Sequence, residues 1–350
     1  MKHLLRYPVA VPLLCLSFLV GCTAETSGPQ TLTVMVHDSF AASEEVIQAF
    51  EEEHNARVVF LQSGDAGTAL NRAILAKESP LADVFFGVDN TFLSRALDAD
   101  IFVPSSSVDL SALPGEYLLD PSHRLLPVDY GDVCVNYDKS YFSVAELAVP
   151  SSLEDLAKPE YRGLLVVENP ATSSTGLAFM LATRAHFADE YLDFWASLKE
   201  NDVTVVDGWE TAYYTNFSGS SGRGPQPLVV SYATSPAAEV IFADPPVDEA
   251  PTGSVLGPDT CFRQIEFVGV LAGARQPALA AEFVAFMLDR RFQEDVPLQM
   301  FVFPVHPDAG LPATFAEFAS IPAAPATLPP EEIAANRDAW ISEWTELMLG

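Results

Sequence analysis

The stretch PVDYGDVCVNYD, residues 127–138, separates two parts of the chain that repeat one pattern. It reads as a β-strand, with Val133, Val135 and Tyr137 alternating in its second half and the polar run Asp129-Tyr130-Gly131 in its first. Residues 260–274, TCFRQIEFVGVLAGA, carry a similar signature. Two such strands crossing between α/β lobes form a hinge, and a ligand would be held in the cleft between the lobes.

On the N-terminal side the pattern is strand, polar loop, helix. Residues 32–36 run into His37-Asp38-Ser39-Phe40 and a helix from about Ser43. Residues 58–61 run into Ser63-Gly64-Asp65-Ala66-Gly67 and a helix bearing Leu70 and Ile74, and residues 83–86 into Gly87-Val88-Asp89-Asn90 and a helix bearing Leu93 and Leu97. Alternating strands and helices predict a parallel sheet, whose ligands gather beyond the strand carboxyl ends. His37, Asp38, Ser39, Asp65 and Asp89 are therefore candidate ligand residues. Asp38, Asp65 and Asn90 also stand where helix N-caps stand, and capping explains each of them equally well.

The same rhythm continues beyond residue 138. Residues 164–167 lead into Asn169-Pro170-Ala171-Thr172-Ser173-Ser174-Thr175-Gly176 and an apolar helix. Hydroxyls and helix N–H groups converge at Ser173, Ser174 and Gly176, as in an oxyanion site or a plain Ser/Thr cap. Residues 203–206 feed Asp207-Gly208-Trp209-Glu210 and a helix with Tyr213; residues 228–232 feed Ala233-Thr234-Ser235-Pro236. Trp209 and Tyr232 sit at element junctions, the placement of ligand contacts more than of core aromatics. Residues 217–224, rich in Ser and Gly, read as a flexible surface loop. After the second crossing come helices at about 277–289 and 291–295, the segment Met300-Phe301-Val302-Phe303-Pro304, and a Pro- and Ala-rich wrap over 308–328. The last helix, 330–349, places Trp340 and Trp344 on one face for docking.

With 350 residues, 49% of them hydrophobic, the chain can bury one large core or two smaller ones. A formal charge of -30 makes nucleic acid and anionic membrane surfaces poor partners. Lys2 and Arg6 precede an apolar run over residues 7–20 that is too short for a flanked membrane span. That run ends in Leu19-Val20-Gly21-Cys22, which resembles the bacterial lipobox and implies a lipid-modified Cys22 after cleavage. Cleavage would also remove Cys15. Cys134 and Cys261 then remain, and in an exported protein such a pair reads as a disulfide ahead of a metal or catalytic pair.

The motifs HDSFA, GVDN, PVDYGDVCVNYDK, NPATSSTGLA, DGWETAY, VSYATSPA and AANRDAWISEWTE, in that order over residues 32–344, resemble the thiamine-binding substrate receptors of bacterial ABC transporters. The resemblance implies an α/β, two-lobed periplasmic-binding-protein type II fold and a monomeric extracytoplasmic receptor, held to the cell membrane by its lipid alone. It implies a small-molecule ligand, thiamine or its phosphates, delivery to ABC permease and ATPase subunits, and neither catalysis nor a cofactor. By position, Trp209 and Tyr232 match aromatic ligand contacts, Ser173 a phosphate-side hydroxyl and Asp65 a polar contact. The wider expected set is His37, Asp38, Ser39, Asp89, Asp129, Tyr130, Ser174, Gly176, Tyr213, Ser235 and Phe301. His37, Phe301 and Ala238 depart from the aromatic residues of the enterobacterial relative. The implied division is a signal peptide over 1–21, a tether over 22–30, a first lobe over 31–133 plus about 263–310, a second over 134–262, and a C-terminal segment over 311–350. Two rival readings keep the fold: a ferric-ion receptor using Tyr213 and Tyr214, and a thiaminase-like enzyme using Cys134.

Overall fold

A computed structural model describes residues 28–105, 108–220 and 223–350; the leader and Cys22 lie outside the described residues. The strands are β1 (Gln30–Val36), β2 (Ala56–Gln62), β3 (Val84–Asp89), β4 (Phe102–Val103), β5 (Leu126–Asp138), β6 (Leu165–Glu168), β7 (Thr204–Val206), β8 (Leu228–Tyr232), β9 (Thr252–Val255), β10 (Phe262–Leu271) and β11 (Phe303–Pro304). They form one sheet in the order β2-β1-β3-β10-β5-β8-β6-β7, with β4, β9 and β11 on side branches.

The two outer parts of this sheet are parallel, β2-β1-β3 on one side and β8-β6-β7 on the other, as the strand and helix alternation predicts. Between them run β5 and β10, antiparallel to each other. The 13-residue β5 pairs with β10 through its first half and with β8 and β9 through its second, so one strand belongs to both parts. β10 does the same in reverse, leaving β5 to pair with β3 and β4. The expected two-lobed α/β architecture with two crossing strands is the one observed. β3 is buried along its whole length, which is what helices on both faces of a parallel sheet require.

The C-terminal helix, Pro330–Leu349, touches both parts. Trp344 packs edge-on against Trp195 at 5.3 Å, and Glu343 accepts a hydrogen bond from the Tyr191 hydroxyl. From the other end of the helix, the Arg337 guanidinium lies over the Phe92 ring. The Trp340 and Trp344 face is thus a docking face, and Arg184 covers Trp340. The helix expected at 291–295 runs over Arg290–Gln299, continuing through the buried Pro297.

Cys134 and Cys261 are fully buried and disulfide-bonded. The β5–β10 register pairs Val133 with Phe262, so the next pair outward is Cys134 with Cys261, whose Cα atoms lie 4.3 Å apart. The bridge therefore joins the two crossing segments where they meet the β6–β9 part, and it closes a loop of 127 residues. For such a loop the chain-entropy treatment gives about 5 kcal/mol, and removal of native bridges costs about 2–5 kcal/mol. Cys134→Ala with Cys261→Ala should lower the chemical-denaturation stability by that amount without loss of the sheet's circular dichroism. Reducing agent should then have no further effect on the variant's midpoint while lowering that of the wild type.

Candidate ligand-binding cleft

A cavity of about 810 Å³ opens between the two parts of the sheet, within the range of small-molecule sites. Its aromatic wall comes from the β7 and β8 ends. The Trp209 ring stacks on Tyr213 at 5.0 Å and 17°, meets Tyr214 edge-on at 5.5 Å and meets Tyr232 at 6.5 Å. These positions are fixed by hydrogen bonds. Trp209 Nε1 donates to Ser231 Oγ, which also contacts Ser235 Oγ, and the Tyr232 hydroxyl donates to Gln264 Oε1. Tyr232 lies against Gly131, where an added Cβ would stand 2.8 Å from its ring; any larger residue in β5 would push the ring off.

Two aromatic residues come from beyond the wall. Phe301, at φ 57° in the left-handed region, meets Phe242 at 5.0 Å on the cavity rim. Residues 217–220 are not the surface loop expected from composition, since Phe217 is fully buried against Tyr213 and Gly219 and Ser220 line the cavity.

Asp65 links the two sides. It caps its own helix, Ala66–Leu75, by accepting from Ala66 N at 2.7 Å, and it also accepts from Ser174 N at 3.2 Å and Trp209 N at 3.0 Å across the cleft. Beside it Thr68 N donates to Thr172 O. Burial pushes the Asp65 carboxyl up, against the pull of these donors. Glu210 faces it and is raised by burial and by the charges of Asp38 and Asp65. Asp38 ties the β1 and β2 ends together, its Oδ1 accepting from Gly64 N.

Of the expected site residues, His37, Asp38, Ser39, Asp65, Ser174, Trp209, Tyr213, Tyr232, Ser235 and Phe301 line the cavity, together with Ala238. Five do not, and each has a structural reason. Asp89 is buried, capping the following turn through Thr91 and Phe92 N–H groups and accepting from Gln264 Nε2. Asp129 lies beneath the floor, opposite Glu266 and flanked by β11. Tyr130 points to the other face of β5, stacked between Tyr117 and Phe303 with Arg263 over its ring. Ser173 is a buried N-cap of the helix Ser174–Phe187, and Gly176 is there because a Cβ would stand 2.5 Å from the Glu168 carbonyl oxygen. Sequence reasoning placed Tyr214 only in the iron reading and missed Glu210, Glu239, Phe242 and Glu266; all five are cavity residues. Glu266 had a signal: it stands two residues beyond Gln264 in the second crossing strand, on the same face.

The sequence model for bacterial extracellular solute-binding proteins matches residues 79–326. The chain belongs to this family. It is 32% identical over 335 residues to the thiamine-binding periplasmic protein of Escherichia coli K12, covering 94% of this chain and 97% of that one. To the thiamine-binding periplasmic protein of Brucella suis it is 30% identical over 334 residues, with 93% and 94% covered. A solved periplasmic thiamin binding protein matches it with a TM-score of 0.80 at 30% identity, over 91% of this chain and 96% of that one. A ferric binding protein from Campylobacter jejuni, at 19% identity and a TM-score of 0.71, shares the fold over 90% of this chain and 99% of its own.

The side chains named by the two rival readings are placed as follows. Cys134 is buried in its disulfide and has no thiol to act as a nucleophile. Tyr213 gives its hydroxyl hydrogen to Glu239 at 2.7 Å, and its ring stands at 87° to that of Tyr214. Among the described residues, no cluster of three or more His, Cys, Asp or Glu side chains is arranged to hold a metal ion.

At the cavity floor, paired strand positions set the lining Glu266 opposite the buried Asp129, with His37 Nε2 3.4 Å from Glu266. Burial pushes Asp129 up to about 8 and Glu266 well up, the latter further raised by Asp129 and Asp89. Burial takes the His37 imidazole down to about 4, so it is neutral at pH 7. Two buried carboxyls at paired strand positions disfavour a second negative charge, which favours the protonated forms. An acid with a raised folded pKa binds more protons folded than unfolded. Its stabilising effect is therefore full below the unfolded value of about 4 and is lost as pH rises through about 8. Melting temperature should accordingly fall between pH 4 and pH 8, and Asp129→Asn should flatten that fall; equal slopes for variant and wild type would remove Asp129 from the account.

Proposed function

We propose that this protein is an extracytoplasmic receptor that captures thiamine and hands it to the permease and ATPase subunits of an ABC importer. The observation that carries the reading is an aromatic wall of Trp209, Tyr213, Tyr214 and Tyr232 facing carboxylates in one cleft. Thiamine is a flat pyrimidine joined to a permanently cationic thiazolium, which aromatic faces attract by about 0.5–2 kcal/mol each. Carboxylates supply the countercharge. The relatives named as thiamine-binding support the same ligand. In this reading β5 and β10 are the hinge, residues 31–133 with 263–310 and residues 134–262 move as lobes, and the Asp65 bonds to Ser174 and Trp209 form as the lobes meet. The receptor works as a monomer, without a cofactor and without catalysis.

Membrane attachment falls to Cys22, the residue that ends the Leu19-Val20-Gly21-Cys22 motif. Cys22→Ala should move the protein from the membrane fraction to the soluble extracytoplasmic fraction; retention in the membrane would assign the anchor elsewhere.

Calorimetry with thiamine tests the ligand assignment. Trp209→Ala should weaken binding by about 2- to 30-fold, the equivalent of one lost aromatic face. Wild-type affinity in that variant would mean the aromatic wall is not the ligand's contact, and absence of thiamine binding to the wild-type chain would overturn the proposal.

A further inference from the structure

We infer that Glu266, at the floor of the cleft, is the counter-ion of the ligand's permanent cation, and that the cation enters in exchange for a proton held by the Glu266 and Asp129 pair. The inference rests on the thiamine reading above and names the acid and the exchange that this reading leaves open.

Glu266 lines the cavity next to the aromatic wall. Tyr232, on that wall, meets Trp209 at 6.5 Å and donates its hydroxyl hydrogen to Gln264, two residues from Glu266 on the same face of β10. Burial raises the Tyr232 hydroxyl, and the Glu266 charge raises it further, so the ring and the carboxyl feel each other directly. A cation drawn to these rings therefore comes within reach of Glu266. Opposite it on β5 stands Asp129, buried, whose two carboxyl oxygens have no partner in hydrogen-bond geometry among the described residues. His37 Nε2, 3.4 Å from Glu266, is likewise without one.

Among the described residues no Lys or Arg lines the cavity to meet these acids. Arg263, close by in sequence, is held by Asp132 through two hydrogen bonds with its guanidinium over Tyr130, on the other face of the sheet. Burial keeps the His37 ring neutral at pH 7, and Gln264 gives its amide to Asp89. The other titratable groups around Glu266 are Asp129, Asp89, Asp65 and the Tyr232 phenol, none of them a cation. A buried carboxylate has to be neutralised by something. Without a ligand a proton does it, and burial together with the neighbouring acids holds one there, Asp129 being pushed up to about 8 and Glu266 well up. A permanent cation does the same with a charge that no titration removes. As it arrives the carboxyl O–H bond ionises, the carboxylate pairs with the cation and the proton leaves to solvent. An uncharged molecule of the same shape cannot displace that proton, so the floor separates cations from neutral isosteres by a margin that grows with pH.

The experiment is calorimetry of thiamine with the full extracytoplasmic chain at pH 7 in buffers of different ionisation enthalpy, which counts the protons released per ligand bound. The wild-type chain should release about 0.5–1 proton, and its affinity should rise by about three- to tenfold from pH 6.5 to pH 7.5. Glu266→Gln should bind more weakly and release fewer protons. Asp129→Asn, which removes the neighbouring acid and keeps Glu266, should also release fewer protons while binding thiamine at pH 7 at least as tightly as the wild type; this variant carries the test if Glu266→Gln binds too weakly for its protons to be counted. A merely structural role for either residue would change affinity and leave the proton count alone. A wild-type chain that binds thiamine without releasing protons overturns the exchange and leaves the receptor reading standing. A proton count unchanged in either variant likewise overturns it, and failure of the wild-type chain to bind thiamine removes the thiamine reading and the exchange with it.

Discussion

The antiparallel pairing of β5 with β10 is the constraint from which the rest of the molecule follows. Through it the two parallel parts of the sheet become one hydrogen-bonded surface, so the parts are joined by two strands and not by a flexible linker. The disulfide locks the outer end of the pairing, and a bulge between Glu266 and Phe267 disturbs its middle. A bulge re-aims the side chains around it. Here it lies beside Glu266, the residue that brings a carboxyl from the crossing strand into the cavity. Gly131, opposite Gln264 on the same pair, leaves room for the Tyr232 ring. Floor, wall and hinge are thus built from adjacent rungs of one ladder.

The acids of the cleft look costly until their partners are counted. Asp65 has three N–H donors, Asp89 has Thr91, Phe92 and Gln264, and Asp132 holds Arg263 through two hydrogen bonds. Satisfied carboxylates of this kind are tolerated inside proteins. Asp129 and Glu266 are different, because burial keeps them partly protonated and each answers the other. Both kinds of acid reach the cavity: Asp65 and Glu266 line it, as do Asp38, Glu210, Glu239 and Asp244, of which Asp38 accepts from Gly64 N and Glu239 from the Tyr213 hydroxyl.

Much of this could be read from the residues. The strand, loop, helix rhythm is a local property, so it gave the parallel parts of the sheet and put His37, Asp38, Asp65 and Trp209 at strand ends. The paired cysteines were legible because export removes Cys15 and leaves two. What could not be read was register. Whether Asp129 or Tyr130 faces a cleft depends on which side of β5 each falls on and on β11 covering that edge, and neither is written in the local pattern. Asp89 was misplaced for a related reason, since a strand-end aspartate and a helix-capping aspartate look alike until Gln264 arrives from 175 residues away. Tyr214 entered only through the iron reading and Phe242 was missed, because a π-helical turn over Thr211–Asn216 and the rim near Phe301 follow from tertiary packing.

Asp65 shows how both readings of one residue can be true. At sequence level it stood as either an N-cap or a ligand contact, and the structure makes it a cap for two helices at once: its own and, from across the cleft, the one that opens at Ser174. A carboxylate at a helix N-terminus is favoured by the helix dipole, and one carboxylate placed between two such termini is favoured by both. Because the second terminus is on the other side of the cavity, that favourable contact exists only while the sides are together. The capping interaction and the closed arrangement are therefore the same interaction.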